Sequence, residues 1–303
     1  MDIALSAVEE GFRHQAAGTA TNSPRSRIRI EGGFFNFMSA AAPGLGVMGG
    51  KSYGAIGAKM LHFYVQIFNS EDGRLLAVLE ASRLGQIRTG AASGVATRYM
   101  APENARSVGI IGAGYQARTQ LEATCAVRDI EAAKVYSRSP ERREKFAKEM
   151  GKRFGIDLRA VDSAEECAHS SDIVITITTS SRPVLNGEWL SQGTHVNVAG
   201  ANHWMRREID DDVVTRADVV VADDVDQAKV ECGDLLQPIE RGLLQWRDVL
   251  DLHRVVSREA KGRTSDDQIT LFASQGMALE DIVVAERVYR LASEQGVGVE
   301  LAS

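Results

Sequence analysis

Cysteine is scarce in this chain: Cys125, Cys167 and Cys232 are widely separated, odd in number and without CxxC spacing. That pattern fits neither a disulfide framework nor a zinc site, so the expectation is a reducing, cytoplasmic setting and no bound metal. A long basic stretch is also missing, and the formal net charge is −6, which argues against a nucleic-acid partner. The densest basic cluster, Arg142, Arg143 and Lys145, alternates with Glu141, Glu144 and Glu149, as on the solvated face of a helix. No uninterrupted apolar run reaches the length of a membrane span, so no membrane partner is expected. The opening MDIALSAVEEGFRHQ lacks a small-residue cleavage site and does not read as a signal peptide. Its Ile3, Leu5, Val8 and Phe12 lie near helical spacing and predict an amphipathic helix.

What is present is the balance of a soluble globular protein: 303 residues, 44% hydrophobic and 25% charged, enough for one large or two ordinary domains. Two textures divide the chain. Between about 107 and 273, short apolar runs alternate with helical patterns. SVGIIG (107–112), AKVYS (133–137), DIVITITT (172–179), THVNVAG (194–200), DVVVAD (218–223) and ITLFAS (269–274) read as strands buried on both faces. Helical patterns over 115–127, 140–154 and 163–169 lie between them, which predicts a doubly wound parallel sheet. The first hundred residues are rich in glycine and carry two strand-like runs, MLHFYVQIFN and RLLAVLEAS, around an SEDG hairpin turn. A helix over 86–99 ends at Ala101-Pro102, the expected boundary, and a last helix over 278–294 is expected to cross back. The predicted class is therefore α/β: a Rossmann-type nucleotide domain over 102–277, and a discontinuous α+β domain, 1–101 with 278–303, for substrate binding and dimerisation. An antiparallel sheet with a face or edge needing cover motivates the homodimer.

The most specific motif is Gly112-Ala113-Gly114-Tyr115-Gln116-Ala117, a G-x-G-x-x-A directly after an apolar strand and opening a helix. Gly112 permits the tight turn and Gly114 lets the backbone approach a pyrophosphate. Ala117 allows close helix–strand packing, and the helix N-terminus favours the phosphates. The context implies a dinucleotide; the competing reading is an α/β turn with glycines for packing only. An acid at the tip of the second strand would select NAD, whereas an arginine accommodates a 2′-phosphate. Here the tip is Ser137-Arg138-Ser139, which predicts NADP(H) in preference to NAD(H), with a plain solvated arginine as the alternative.

Three further segments occur in a telling order. Asn36-Phe37-Met38-Ser39 with Gly50-Lys51 comes first, then Gln86-Ile87-Arg88-Thr89-Gly90-Ala91-Ala92-Ser93, and Thr270-Leu271-Phe272-Ala273-Ser274-Gln275-Gly276-Met277-Ala278 with Asp281 closes the chain. Over nearly its whole length the chain resembles the ornithine cyclodeaminase/mu-crystallin family, although the opening strand usual there is missing. The resemblance implies a carboxylate held by Arg25, Lys51 and Arg88, and cofactor-lining positions at Thr178 and Phe272. Independently, a small carboxylate needs fixed cations, and a guanidinium grips it bidentately. A lysine in a glycine-rich, partly desolvated setting can also pass a proton. Arg25 reads equally well as a surface arginine, and Arg88 as capping its helix region or pairing with an acid; as a helix-start cation it needs compensation, which a bound carboxylate or cofactor phosphate would also supply. His62 reads first as a satisfied or surface histidine and second as a substrate contact.

Cyclodeaminases proper carry an aspartate where this chain has Asn202, in Val198-Ala199-Gly200-Ala201-Asn202-His203. An amide cannot accept and return a proton at neutral pH, so Asn202 is read as an orienting residue. The expectation is an NAD(P)H-dependent oxidoreductase moving hydride to or from the α-carbon of a small imino or amino acid. Ornithine cyclodeaminase with NAD as a relay is one alternative, and a non-catalytic NADP(H)-binding protein of the mu-crystallin kind is the other.

Overall fold

Helix α1 (Asp2–Ala16) gathers Leu5, Val8 and Phe12 into one buried stripe, as their spacing requires, while Ile3 stays outside it. The computed structural model describes residues 1–57 and 62–300. The chain divides into two compact units, one built of Asp2–Arg88 and Met277–Ser303, the other of Thr89–Gly276.

In the first unit α1 is followed by β1 (Thr21–Ile30), β2 (Gly33–Ala42), β3 (Val47–Ile56), β4 (His62–Asn69) and β5 (Leu75–Glu80), an antiparallel meander in sequence order. The hairpin at SEDG forms as expected: Asn69 Oδ1 accepts the Glu71 amide at 2.7 Å, and Gly73 takes φ +75°. Met60 and Leu61, which open the expected strand, lie outside the described residues, as do 301–303 of the expected first domain. Strands β1 to β3 are a correction to the sequence reading, which saw only two strands here. Pro24 sits in β1 where the register shifts between Ser23 and Ser26, on the edge strand that tolerates it. β3 includes three of the glycines of this region, Gly49, Gly50 and Gly54.

Helix α2 (Ser82–Met100) begins four residues before the expected start, so Arg88 lies in its second turn rather than at its opening. The division between units falls inside this helix, at Arg88/Thr89, and not at Ala101-Pro102. The reason is packing: the later half of α2 buries Ala91, Ala92, Val95 and Ala96, and Thr97 Oγ1 accepts from Asn197 Nδ2 at 2.9 Å. Contacts decide a boundary, whereas the proline marks only where the helix stops.

The second unit runs β6 (Ser107–Ile111), α3 (Ala117–Val127), β7 (Ala132–Tyr136), α4 (Pro140–Phe154), β8 (Asp157–Ala160), α5 (Ala164–Ala168), β9 (Ile173–Thr176) and β10 (His195–Val198). It continues through α6 (Asp211–Arg216), β11 (Val219–Ala222), α7 (Val225–Glu231), α8 (Gly233–Glu240), β12 (Val249–Asp251), α9 (Leu252–Val256) and β13 (Thr270–Ala273). The eight strands are parallel in the order β12-β11-β13-β10-β9-β6-β7-β8. Ile173 and Ile175 of β9 enter one core cluster and Val174 the other, so the sheet is covered on both faces, as its apolar runs demand. Strand order reverses between β6 and β9, the place where doubly wound sheets open a crevice at their carboxyl ends. The closing helix α10 (Ala278–Glu294) belongs to the first unit, where it packs on α1 and across β3 and β2.

Candidate active site

In the antiparallel unit, Lys51 lies mid-way along β3, directly across from Met38 on β2 and Val65 on β4. Arg25 of β1 joins this face: its Nε donates to Met38 Sδ at 3.4 Å. Arg25, Lys51 and Arg88 are all buried, so Arg25 is not a surface arginine. Lys51 Nζ donates to Asp281 Oδ1 at 3.0 Å, and Arg88 Nε donates to the same oxygen at 2.9 Å. Arg88 Nη1 bonds Glu280 Oε2 at 2.7 Å. Both acids sit in the first turn of α10, where the helix dipole favours negative charge. Arg88 is thus compensated by carboxylates of the chain itself, the acid pairing that was one reading of it, rather than needing a bound carboxylate or phosphate for that.

Burial is the largest influence on the Lys51 ammonium and lowers its pKa to about 8. Arg88 and Arg25 add to that lowering, and Asp281 only partly opposes it. The rings of Phe63 and Tyr53, 5.2 and 5.8 Å from Nζ, face the charge. Burial alone would lower Arg88, but Asp281 and Glu280 more than offset it and hold the guanidinium firmly protonated. Asp281 is likewise kept below the usual carboxylate range: burial would raise it, and Arg88 and Lys51 prevail. A lysine at this pKa can release a proton near neutrality, while the arginine beside it cannot. His62 is exposed at the start of β4, as a surface histidine.

In the parallel unit, Gly112 adopts φ +120° after β6, and a Cβ there would lie 2.4 Å from the Ile177 carbonyl oxygen. Only glycine fits. A Cβ on Gly114 would meet no atom within 4 Å, so the backbone is open on that side. Ala117, fully buried, is the first residue of α3; Tyr115 and Gln116 form the turn before it rather than the helix itself. A strand, a tight glycine turn with one open backbone face and a helix N-terminus together fit a dinucleotide pyrophosphate.

At the tip of β7, Ser139 Oγ caps α4 by accepting the Arg142 amide at 3.3 Å, and the Ser137 carbonyl accepts from Arg143 Nη1 at 3.2 Å. Arg138 is exposed. Thr178 follows β9, its hydroxyl accepting from the Ser180 amide at 3.1 Å, and Asn202 is exposed in the loop after β10. Phe272, within β13, is fully buried. The structure therefore brings Lys51 and Arg88 onto one carboxylate with Arg25 nearby, and keeps Gly112–Ala117 as one turn. It leaves Phe272 inside the sheet. Among the described residues no group of three His, Cys, Asp or Glu could hold a metal ion, and no helix is long and apolar enough to cross a membrane.

The sequence reading quoted Asp281 as a motif member without a role and overlooked Glu280. The signal was present: adjacent acids opening an apolar helix, and buried cations that must find partners.

Comparison with known proteins agrees with this layout. The model of the ornithine cyclodeaminase/mu-crystallin family matches residues 1–296. A Delta(1)-pyrroline-2-carboxylate reductase of Bacillus cereus is 39% identical over 244 residues, 80% of this chain and 75% of its own. The structure of the Thermococcus litoralis Delta(1)-pyrroline-2-carboxylate reductase in complex with NADH and L-proline superposes with a TM-score of 0.94 at 36% identity, covering 98% of this chain and 95% of that one. An archaeal alanine dehydrogenase dimer with bound NAD gives 0.93 at 34% identity, covering 100% and 94%.

Proposed function

The chain belongs to the ornithine cyclodeaminase/mu-crystallin family, and from that premise we propose that it is an NAD(P)H-dependent reductase of a small α-imino acid, with the cyclic imine 1-pyrroline-2-carboxylate as its first candidate. One observation carries the reading. Lys51 and Arg88 share a single buried oxygen of Asp281, and Arg88 also bonds Glu280. An ammonium has three donors and a guanidinium five, a set of cationic donors suited to a substrate carboxylate.

In this reading the antiparallel unit binds substrate and the parallel unit binds the dinucleotide on the Gly112–Ala117 turn. The bound nicotinamide supplies the hydride. Arg25, Lys51 and Arg88 fix the carboxylate; Lys51 also delivers a proton toward the imine nitrogen, as its pKa of about 8 allows. Asp281 keeps Lys51 and Arg88 in place. Thr178 lines the cofactor, and Asn202 orients rather than transfers protons, which favours reduction over cyclodeamination. Phe272, being buried, supports the nicotinamide end of the sheet from within.

Arg138, exposed at a tip without an acid, supports a preference for NADP(H) over NAD(H). Arg138→Asp should shift the NADPH:NADH ratio of kcat/KM at least tenfold toward NADH, on the order of one lost charge-assisted bond. An unchanged ratio would remove Arg138 from the role. The sheet face opposite Lys51 exposes Ile28, Phe35, Phe37, Ile56, Tyr64 and Val78, an apolar surface suited to a second copy of the chain. Sedimentation as a monomer at micromolar concentration would refute the dimer. The three cysteines are free thiols, which suits the cytoplasm. The functional reading itself is tested by following NADPH oxidation with a panel of cyclic imines and with pyruvate plus ammonia. Turnover on at least one is expected; none, with the cofactor bound, would overturn it.

A further inference from the structure

Glu208 is fully buried in the parallel unit and outside every motif discussed so far. Its Oε1 accepts the Thr178 amide at 2.5 Å, beyond the end of β9. Its Oε2 accepts the Gly200 amide at 2.7 Å, beyond the end of β10, and the Thr176 hydroxyl at 3.0 Å. One carboxylate therefore ties together the carboxyl ends of two neighbouring strands at the crevice side of the sheet. Gly200 makes this possible: a Cβ there would lie 2.6 Å from Glu208 Cδ and 2.4 Å from the Thr178 carbonyl oxygen. The Glu208 backbone is held in turn by Asp234 of α8, whose Oδ1 accepts the amides of Glu208 and Ile209 at 2.7 and 3.1 Å.

We propose that ionised Glu208 is a positioning residue for cofactor binding, holding in register the two loops that carry Thr178 and Asn202. Two obligate donors, the amides of Thr178 and Gly200, meet different oxygens. A carboxylate accepts strongly on both; an amide presents a donor on one side, and a protonated acid is the weaker acceptor, so each loosens its hold on a loop. The inference rests on the reading that this unit binds a nicotinamide dinucleotide.

The charged groups that bear on Glu208 are Asp234 and, through it, Arg207. Burial, with Asp234 adding to it, pushes Glu208 up to about 7, and burial brings Asp234 to about 6. Glu208 thus gains its proton as pH falls through neutrality, and the tie loosens on the acid side.

The test is equilibrium binding of NADH, followed by its fluorescence without substrate from about pH 6 to about pH 8.5. NADH carries no 2′-phosphate to titrate in that range. The wild-type Kd should rise as pH falls, with its midpoint near 7. Glu208→Gln should bind about tenfold more weakly at the alkaline end, the loss of one bond to a charged group, and show no such pH response. Thr176→Val, which spares both amides, should remain folded and move the wild-type midpoint upward, because the carboxylate loses a donor. A flat wild-type profile, or Glu208→Gln binding NADH as tightly as wild type, would overturn the assignment. Failure of wild type to bind NADH or NADPH at any pH would instead overturn the functional reading beneath it.

Discussion

Burial acts on the ionised side chains of both units, and it moves them in opposite directions toward the same range. Lys51 of the antiparallel unit falls to about 8 and Glu208 of the parallel unit rises to about 7. Their partners differ in kind. Lys51 and Arg88 are donors that meet carboxylates; Glu208 is an acceptor that meets only donors, and both its oxygens are engaged. A cluster of buried cations beside one carboxylate suits a place that receives an anionic ligand. A buried charge whose capacity is used marks a place that holds the frame for one. On this contrast we propose that the cation cluster grips substrate and the carboxylate tie shapes the cofactor crevice.

Substitutions in the two places should separate the roles. Lys51→Met should have the largest effect, lowering kcat/KM for imine reduction by about a thousandfold, within the range of a lost general acid, while NADH affinity stays at the wild-type value. Equal losses in both would merge the two roles and break the contrast. The same variant has a stability signature. The Lys51 pKa in the folded state, about 8, lies below its ordinary 10.5, so between those values the unfolded chain binds the extra proton. Wild-type stability therefore gains a rising component with pH across that window, and denaturant titrations of Lys51→Met should lack it.

Asp281→Asn should come next. Removing the shared carboxylate leaves two buried cations poorly compensated, a loss on the order of 3 kcal/mol in unfolding free energy. Because Asp281 raises the Lys51 pKa, its removal should also move the alkaline limb of the pH–rate profile to lower pH. An unmoved limb would mean that Lys51 is not the group that titrates. Gly85→Ala should be the mildest: the new methyl would lie 3.1 Å from Lys51 Nζ, tight enough to displace the ammonium slightly. A several-fold fall in kcat with full cofactor binding is expected, and wild-type kinetics would show that Lys51 tolerates the shift.

How much of this was legible in the sequence follows from what each feature depends on. The parallel strands were readable because strands covered on both faces are nearly pure apolar runs, as in Ile173–Thr176. The Gly112–Ala117 turn was readable because its chemistry is local. Strands β1 to β3 were not, since an edge strand tolerates Pro24 at a bulge and strand glycines resemble loop glycines. The resemblance to a family pointed to Lys51 and Arg88. Their partner Asp281 stands 230 and 193 residues away, and spacing cannot reveal such a pairing. Glu208 was invisible for the same reason: its meaning lies in the amides of Thr178 and Gly200, which meet it only once the sheet has formed.

The claim that the buried cluster of Lys51, Arg88 and Asp281 binds and protonates an imino acid is tested most directly by one pH–rate profile. NADPH-dependent reduction of 1-pyrroline-2-carboxylate should be saturable, with kcat/KM falling as pH rises past about 8, where Lys51 loses its proton. A profile that stays level through that range, or turnover that survives Lys51→Met undiminished, would contradict it.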